Sequence, residues 1–213
     1  MYDYVLFDLD GTISDSSEGI TKGIQIALRS MGIIEEDREN LRKFIGPPLK
    51  YSFPTFYGFD DRQCEKAIKA YREYYSKTGL FENRAYDGIE DILKKIKASK
   101  KKTAVATSKP EKFSVQILEK FGLLSYFDVV SGATLDGVRG DKCEVIEEAL
   151  RRFGNPDKSR VVLIGDTRFD AEGAKQAGID CIGVLYGFGT RESLAQAGVN
   201  YIAESMEDII NYL

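Results

Sequence analysis

From Tyr86 onward, short apolar runs alternate with amphipathic stretches of about ten to fifteen residues, a rhythm that leaves few folds open. Thr103-Ala104-Val105-Ala106, Asp128-Val129-Val130, Val161 to Ile164 and Asp180 to Val184 read as strands, and a further strand lies near Tyr201. Between them run helical patterns. Asp87 is placed to cap a helix whose core face is Ile89, Ile92, Leu93 and Ile96, and others span Pro110 to Phe121, Lys142 to Phe153 and Ala171 to Ala177. A short helix closes the chain. Strands joined this way form crossover units, so the expectation is an α/β fold, a Rossmann-like doubly wound parallel sheet with helices on both faces. In such sheets ligands bind beyond the carboxyl ends of the strands, near the point where strand order reverses.

One more strand begins the chain. Val5-Leu6-Phe7 is apolar throughout, as a buried parallel strand should be, and it runs into Asp8-Leu9-Asp10-Gly11-Thr12. Residues two apart in extended backbone project to the same side, which puts the two carboxylates about 7 Å apart at ~3.3 Å per residue. Like charges at 4 Å repel by roughly 4 kcal/mol at an effective dielectric near 20, so a positive group is expected between them. An acidic Asp-Gly turn with Thr12 as a helix cap is the structural alternative.

Residues 16 to 80 follow a different rhythm. Ile20, Ile24, Ala27, Leu28 and Met31 recur at helical spacing, with Ser16 or Ser17 as cap; a second helix is expected from Glu35 to Phe44, stopped by Ile45-Gly46-Pro47-Pro48-Leu49, and a third from Asp61 to Lys77. The expected organisation is therefore an α/β core of residues 1–14 and 82–213, with a small all-helical insert at 15–81.

Composition narrows the chemistry. With 213 residues, 43% hydrophobic and 30% charged, the chain can bury a full core and a smaller second one. A formal net charge of -4 gives no basic footprint for nucleic acid. The N-terminus carries Asp3, Asp8 and Asp10 and no long apolar run, so neither a signal peptide nor a membrane segment is expected, and a cytoplasmic location fits. Three dispersed cysteines suggest neither disulfides nor zinc. Histidine is absent, which removes Ser-His-Asp and Cys-His catalysis and histidine-ligated metals.

Three further segments carry candidate chemistry at strand ends. Thr107 and Ser108 precede Lys109-Pro110 at a helix start, where a hydroxyl beside free amides suits a phosphate oxygen or merely caps the helix. Lys142 opens a helix, against the preference of a positive N-terminus, so it is either answering a local anion or simply solvated. Lys109 competes for that task. Val161 to Ile164 ends in Gly165-Asp166-Thr167-Arg168-Phe169-Asp170, a second acidic pair.

In order, Asp8 with Asp10, Thr107, Lys142, and Asp166 with Asp170 resemble the four motifs of the haloacid dehalogenase-like superfamily, and the likeness spans the whole chain. Gly46-Pro47-Pro48-Leu49, Tyr71-Arg72, Thr107-Ser108-Lys109-Pro110 and Gly187-Phe188-Gly189 resemble its phosphoglycolate phosphatase-like and bacterial 5′-nucleotidase-like branch, in which a helical cap follows the first motif. One departure is Asp141-Lys142-Cys143, where relatives often have proline after the lysine.

The resemblance implies an Mg²⁺-dependent phosphatase acting on a small-molecule phosphate monoester. Asp8 would be the nucleophile and Asp10 the general acid and base, the latter pointing to phosphoryl rather than dehalogenase chemistry. Asp8, Asp10 through its backbone carbonyl, and Asp166 would hold Mg²⁺, with Asp170 at the metal site from further out or through Lys142. Thr107, Ser108, Lys142 and Arg72 would bind substrate. A sugar phosphomutase and a non-catalytic phosphate-binding module are the alternatives, and a monomer or homodimer is equally compatible.

Overall fold

The computed structural model describes residues 1–213. In chain order the regular elements are β1 (Tyr4–Phe7), β2 (Ser14–Asp15), α1 (Ser17–Ser30), α2 (Leu49–Tyr57), α3 (Asp61–Tyr75), β3 (Arg84–Ala85), α4 (Ile89–Ala98), β4 (Lys102–Pro110), α5 (Glu111–Lys120), β5 (Val129–Ala133), α6 (Lys142–Arg152), β6 (Val161–Gly165), α7 (Arg168–Ala177), β7 (Asp180–Val184), α8 (Arg191–Ala197), β8 (Tyr201–Ala203) and α9 (Asp208–Tyr212). They divide into two compact units, Met1–Ser14 with Ala85–Leu213, and Asp15–Arg84.

The larger unit is built on a six-stranded parallel sheet ordered β5-β4-β1-β6-β7-β8. β1 is therefore the switch point: Phe7 is in register with Val105 on one side and Ile164 on the other. Its central place explains the unbroken apolar run, because Val5, Leu6 and Phe7 are all fully buried. Leu6, Ala104, Ala106 and Leu163 meet Val145, Ile146 and Ala149 of α6 and Ala171 and Ala174 of α7 in one core cluster. Alternation sends Phe7 to the opposite face, where its ring meets Phe127 edge-on at 6.1 Å. Each such buried side chain contributes about 1.5–3 kcal/mol.

The smaller unit is helical, and here the structure departs from the sequence reading. The segment from Ile45 to Pro48 does stop the preceding helical turn, but Pro48 is then the N-cap of an additional helix that was not expected, α2, which tolerates Pro54 in its interior. Proline there removes the backbone hydrogen bond to Lys50 and strains the turn. Burial outweighs that loss: Phe53 is fully enclosed, with Phe44 at 5.1 Å and Phe59 stacked on it at 5.5 Å. The helix expected over Glu35 to Phe44 shrinks to a 3-10 turn at Glu39–Phe44. Two caps also differ. Ser16 stands at the N-cap of α1 without a side-chain hydrogen bond, and Asp15 Oδ1 instead accepts from Ser17 N and Oγ. Gly88, in left-handed backbone, takes the N-cap of α4 in place of Asp87.

Candidate active site

Asp8 leaves β1 at its carboxyl end, its amide still donating to Ile164 O at 2.9 Å. Gly11, at φ +93°, then turns the chain, and Asp166 makes glycine necessary there, since a Cβ would fall 2.2 Å from Asp166 Oδ2. Asp166 follows β6, the neighbouring strand, and Asp170 lies in the first turn of α7. The three acids reach a common point: one carboxylate oxygen from each of Asp8, Asp166 and Asp170 lies within 4.8 Å of the others, all three groups buried. At that separation each pair repels by roughly 3–4 kcal/mol at an effective dielectric of 20.

Lys142 answers part of this charge. As the first residue of α6 it is held beside a capping box between Asp141 and Glu144, and its stem crosses α7 at Gly173, where a Cβ would sit 2.5 Å from Lys142 Cγ. Its Nζ donates to Asp8 Oδ1 at 2.5 Å and Ala106 O at 3.2 Å, and lies 2.8 Å from Asp170 Oδ1. A cation at a helix N-terminus is thus present because two acids face it. Burial works against the ammonium's charge, but Asp170 and Asp8 outweigh it and hold its pKa above the ordinary lysine range.

Asp10 has a cation of its own. Lys109 Nζ lies 2.8 Å from Asp10 Oδ2, both side chains being nearly enclosed. Sequence reasoning made Lys109 a competitor for Lys142's task, whereas the two lysines serve different carboxylates. The cause is a register shift between Thr107 and Pro110 where β4 pairs with β5. Within it Thr107 Oγ1 accepts from Lys109 N at 3.3 Å, so the threonine hydroxyl braces the bulge. Ser108 is half-buried beside it.

The remaining carboxylates are braced individually. Asp166 Oδ1 accepts from Thr12 Oγ1 at 3.1 Å, and Oδ2 from Phe188 N at 2.8 Å. Asp170 Oδ2 completes a capping box, accepting from Thr167 N at 2.9 Å and Thr167 Oγ1 at 2.8 Å. Its Oδ1 keeps only the ion-pair contact with Lys142 and no hydrogen bond, and Asp10 Oδ1 likewise has no hydrogen-bond partner. Burial, with Asp170 and Asp10 adding to it against the pull of Lys142, pushes Asp8 up to about 6. Burial first, then the charges of Asp170 and Asp8, raise Asp166 well above the carboxylate range.

Fully ionised, the four buried carboxylates would outnumber the two buried lysines by two charges, and that imbalance is what holds protons on the site in the absence of a further cation. An all-oxygen triad with a single lysine beside it, in which burial and mutual repulsion resist ionisation until more positive charge arrives, fits a hard divalent cation. The side chain of Asp10 faces Lys109 and stands outside that triad. Arg72 belongs to α3 in the smaller unit. The pairing of Lys109 with Asp10 and the bracing of Asp166 by Thr12 and Phe188 escaped sequence reasoning. Gly187-Phe188-Gly189, shortly after β7, was the available signal for the second.

A family model described as haloacid dehalogenase-like hydrolase matches residues 5–184. The chain is 42% identical over 204 residues to a 5′-nucleotidase from Pseudomonas aeruginosa, a match covering 95% of this chain and 92% of that protein. It is 34% identical over 201 residues to tyrosine-protein kinase PtkA of Mycobacterium tuberculosis, covering 94% of this chain and 68% of that one. Among solved structures, a predicted phosphatase from Clostridium acetobutylicum aligns over 100% of both chains at 46% identity with a TM-score of 0.97.

Proposed function

Because the chain belongs to the haloacid dehalogenase-like hydrolases and is a phosphatase of that family, we propose that it hydrolyses a small phosphate monoester through a phosphoryl group carried on Asp8. The observation that carries this reading is the pairing of each N-terminal acid with its own buried lysine, Asp8 with Lys142 and Asp10 with Lys109, at the carboxyl end of the central strand. The two acids of one motif are thereby held in different surroundings, as two different roles require.

In this reading an Asp8 oxygen attacks phosphorus, the bond from phosphorus to the ester oxygen breaks, and Asp10, protonated in the substrate complex, delivers that proton to the departing alkoxide, Lys109 pairing with the carboxylate that results. Asp10, now ionised, takes a proton from water as the water attacks the same phosphorus, which frees Asp8 and inorganic phosphate. Lys142 and Thr107 hold the phosphoryl oxygens, and Ser108 lies beside them. Mg²⁺ is the proposed cation, held by Asp8, Asp166 and the backbone carbonyl of Asp10, with Asp170 completing the set; when bound it supplies charge neutralisation on the transferring group. Arg72 is the proposed contributor to substrate binding from the smaller unit, which acts as a cap.

Likeness to a 5′-nucleotidase over nearly the full length of both proteins supports nucleoside 5′-monophosphates as the first substrates to try, ahead of phosphoglycolate and sugar phosphates. The relative named as a tyrosine kinase supports a second acceptor for the same phosphoryl group, a tyrosine hydroxyl in place of water. The test is phosphate release from a panel of monoesters, with Mg²⁺ and with chelator, with Asp8→Asn in parallel. Mg²⁺-dependent release that the variant loses is expected. Release by Asp8→Asn at the wild-type rate would refute the assignment, and label from ATP appearing on protein tyrosine with no free phosphate would favour the second acceptor.

A further inference from the structure

We propose that Tyr186 is a positioning residue for Asp166, acting through Thr12, and that its hydroxyl sets how tightly the acidic triad holds a divalent cation. The inference rests on the cation reading above and concerns a residue outside the triad, in the segment that follows β7.

The need for such a group follows from Gly11. A glycine at φ +93° is compelled by the closeness of Asp166, and it opens a tight turn in which the amides of Thr12, Ile13 and Ser14 all donate to Leu9 O while the carbonyls of Thr12 and Ile13 face away from it. Yet Thr12, immediately after it, must aim its hydroxyl at Asp166 Oδ1 from 3.1 Å. An outside tie holds the carbonyl of the peptide that leaves Thr12: Tyr186 Oη donates to Thr12 O at 3.0 Å. The phenol is itself held by ring packing, since Tyr86 meets Tyr186 edge-on with centroids 5.2 Å apart. Tyr86 N in turn donates to Ile13 O at 3.0 Å, so the two tyrosines fasten consecutive carbonyls of the loop after β1.

The same segment that carries Tyr186 closes over Asp166 from the other side. Phe188 N donates to Asp166 Oδ2, and the flanking glycines lie so close that a Cβ would fall 2.4 Å from Asp166 Cβ at Gly187 and 1.9 Å from Asp166 O at Gly189. One hydrogen bond to each carboxylate oxygen fixes the plane of the group and leaves each oxygen with lone-pair capacity for a cation. Removing a group that orients a metal ligand in this way typically costs about 10–100-fold in metal affinity.

The test is direct binding of Mn²⁺, followed through the electron paramagnetic resonance of the free ion, to wild type, Tyr186→Phe, Thr12→Val and the double variant, with melting temperatures recorded in chelator. Tyr186→Phe keeps the ring and its contact with Tyr86. It should bind Mn²⁺ about 10-fold more weakly with little change in the chelator melt. Thr12→Val should lose a similar factor, the double variant no more than the larger single loss, and Thr12→Ser, which keeps the hydroxyl, should bind as wild type. Equal binding by wild type and Tyr186→Phe, or losses that multiply in the double variant, would overturn the inference alone. A wild type that takes up no Mn²⁺ would overturn the cation reading with it.

Discussion

Asp8→Asn should abolish turnover and yet make the cation-free protein more stable. Asp8 titrates at about 6 rather than 3.8, chiefly because burial penalises its charge. At about 1.4 kcal/mol per pH unit, that difference corresponds to about 3 kcal/mol of native-state destabilisation once the group is ionised. A carboxyl raised in the folded state holds its proton more tightly there than in the unfolded chain. Stability is therefore unaffected below about pH 4, falls as pH rises from the unfolded toward the folded value, and carries the full penalty above about pH 6. Asparagine resembles the protonated carboxyl in shape and cannot ionise, so the variant escapes the penalty and relieves the repulsion on Asp166 and Asp170 as well. Urea unfolding in chelator should show Asp8→Asn more stable by up to about 3 kcal/mol at pH 7, with the advantage shrinking below about 1 kcal/mol at pH 4. Added Mg²⁺ should stabilise wild type more than the variant. A variant less stable than wild type at pH 7 in chelator would refute the reasoning, because the carboxylate would then be a net stabiliser.

Three other outcomes are expected. Asp10→Asn should lower turnover by about 10²–10⁴-fold, the range of general acid-base catalysis, and let the phosphorylated enzyme persist, as rapid-quench kinetics would show. Gly165→Ala places a Cβ 2.4 Å from Asp170 Cβ and Cγ and should cost about 1–3 kcal/mol in chemical unfolding. Glu148 is held at about 2 by Arg151 and Arg152, so its contribution is complete above about pH 4.5 and disappears as pH falls through 2. In this half-buried network Glu148→Gln should lose about 1 kcal/mol at pH 7, and its stability should converge on wild type in acid.

The alternation of strands and helices after Tyr86 was legible because each element buries one simple face: β1, β4, β6 and β7 lie where Val5, Thr103, Val161 and Asp180 announced them. The smaller unit was read less well. Helix α2, bounded by Pro48 and interrupted by Pro54, was not anticipated, and the aromatic packing that holds it joins Phe53 to Phe44 and Phe59, which lie outside the helix on either side. At the site, acids at strand ends were visible as types at fixed spacing, and the structure brings Asp8, Asp166 and Asp170 to one point. Which lysine serves which acid was not visible, since the bulge that turns Lys109 toward Asp10 is a property of how β4 pairs with β5. Tyr186 carried no signal at all: its partner is a backbone carbonyl, which has no side-chain identity to read.

The most direct measurement is chemical trapping of the phosphorylated enzyme. Turnover of a monoester with Mg²⁺ would be quenched with borohydride, which reduces an acyl phosphate to an alcohol, and the peptides would be sequenced by mass spectrometry. The account predicts homoserine at position 8 and nowhere else, absent without substrate. Active enzyme that yields no reduced Asp8, or yields the label at Asp10 or Asp166, would contradict it.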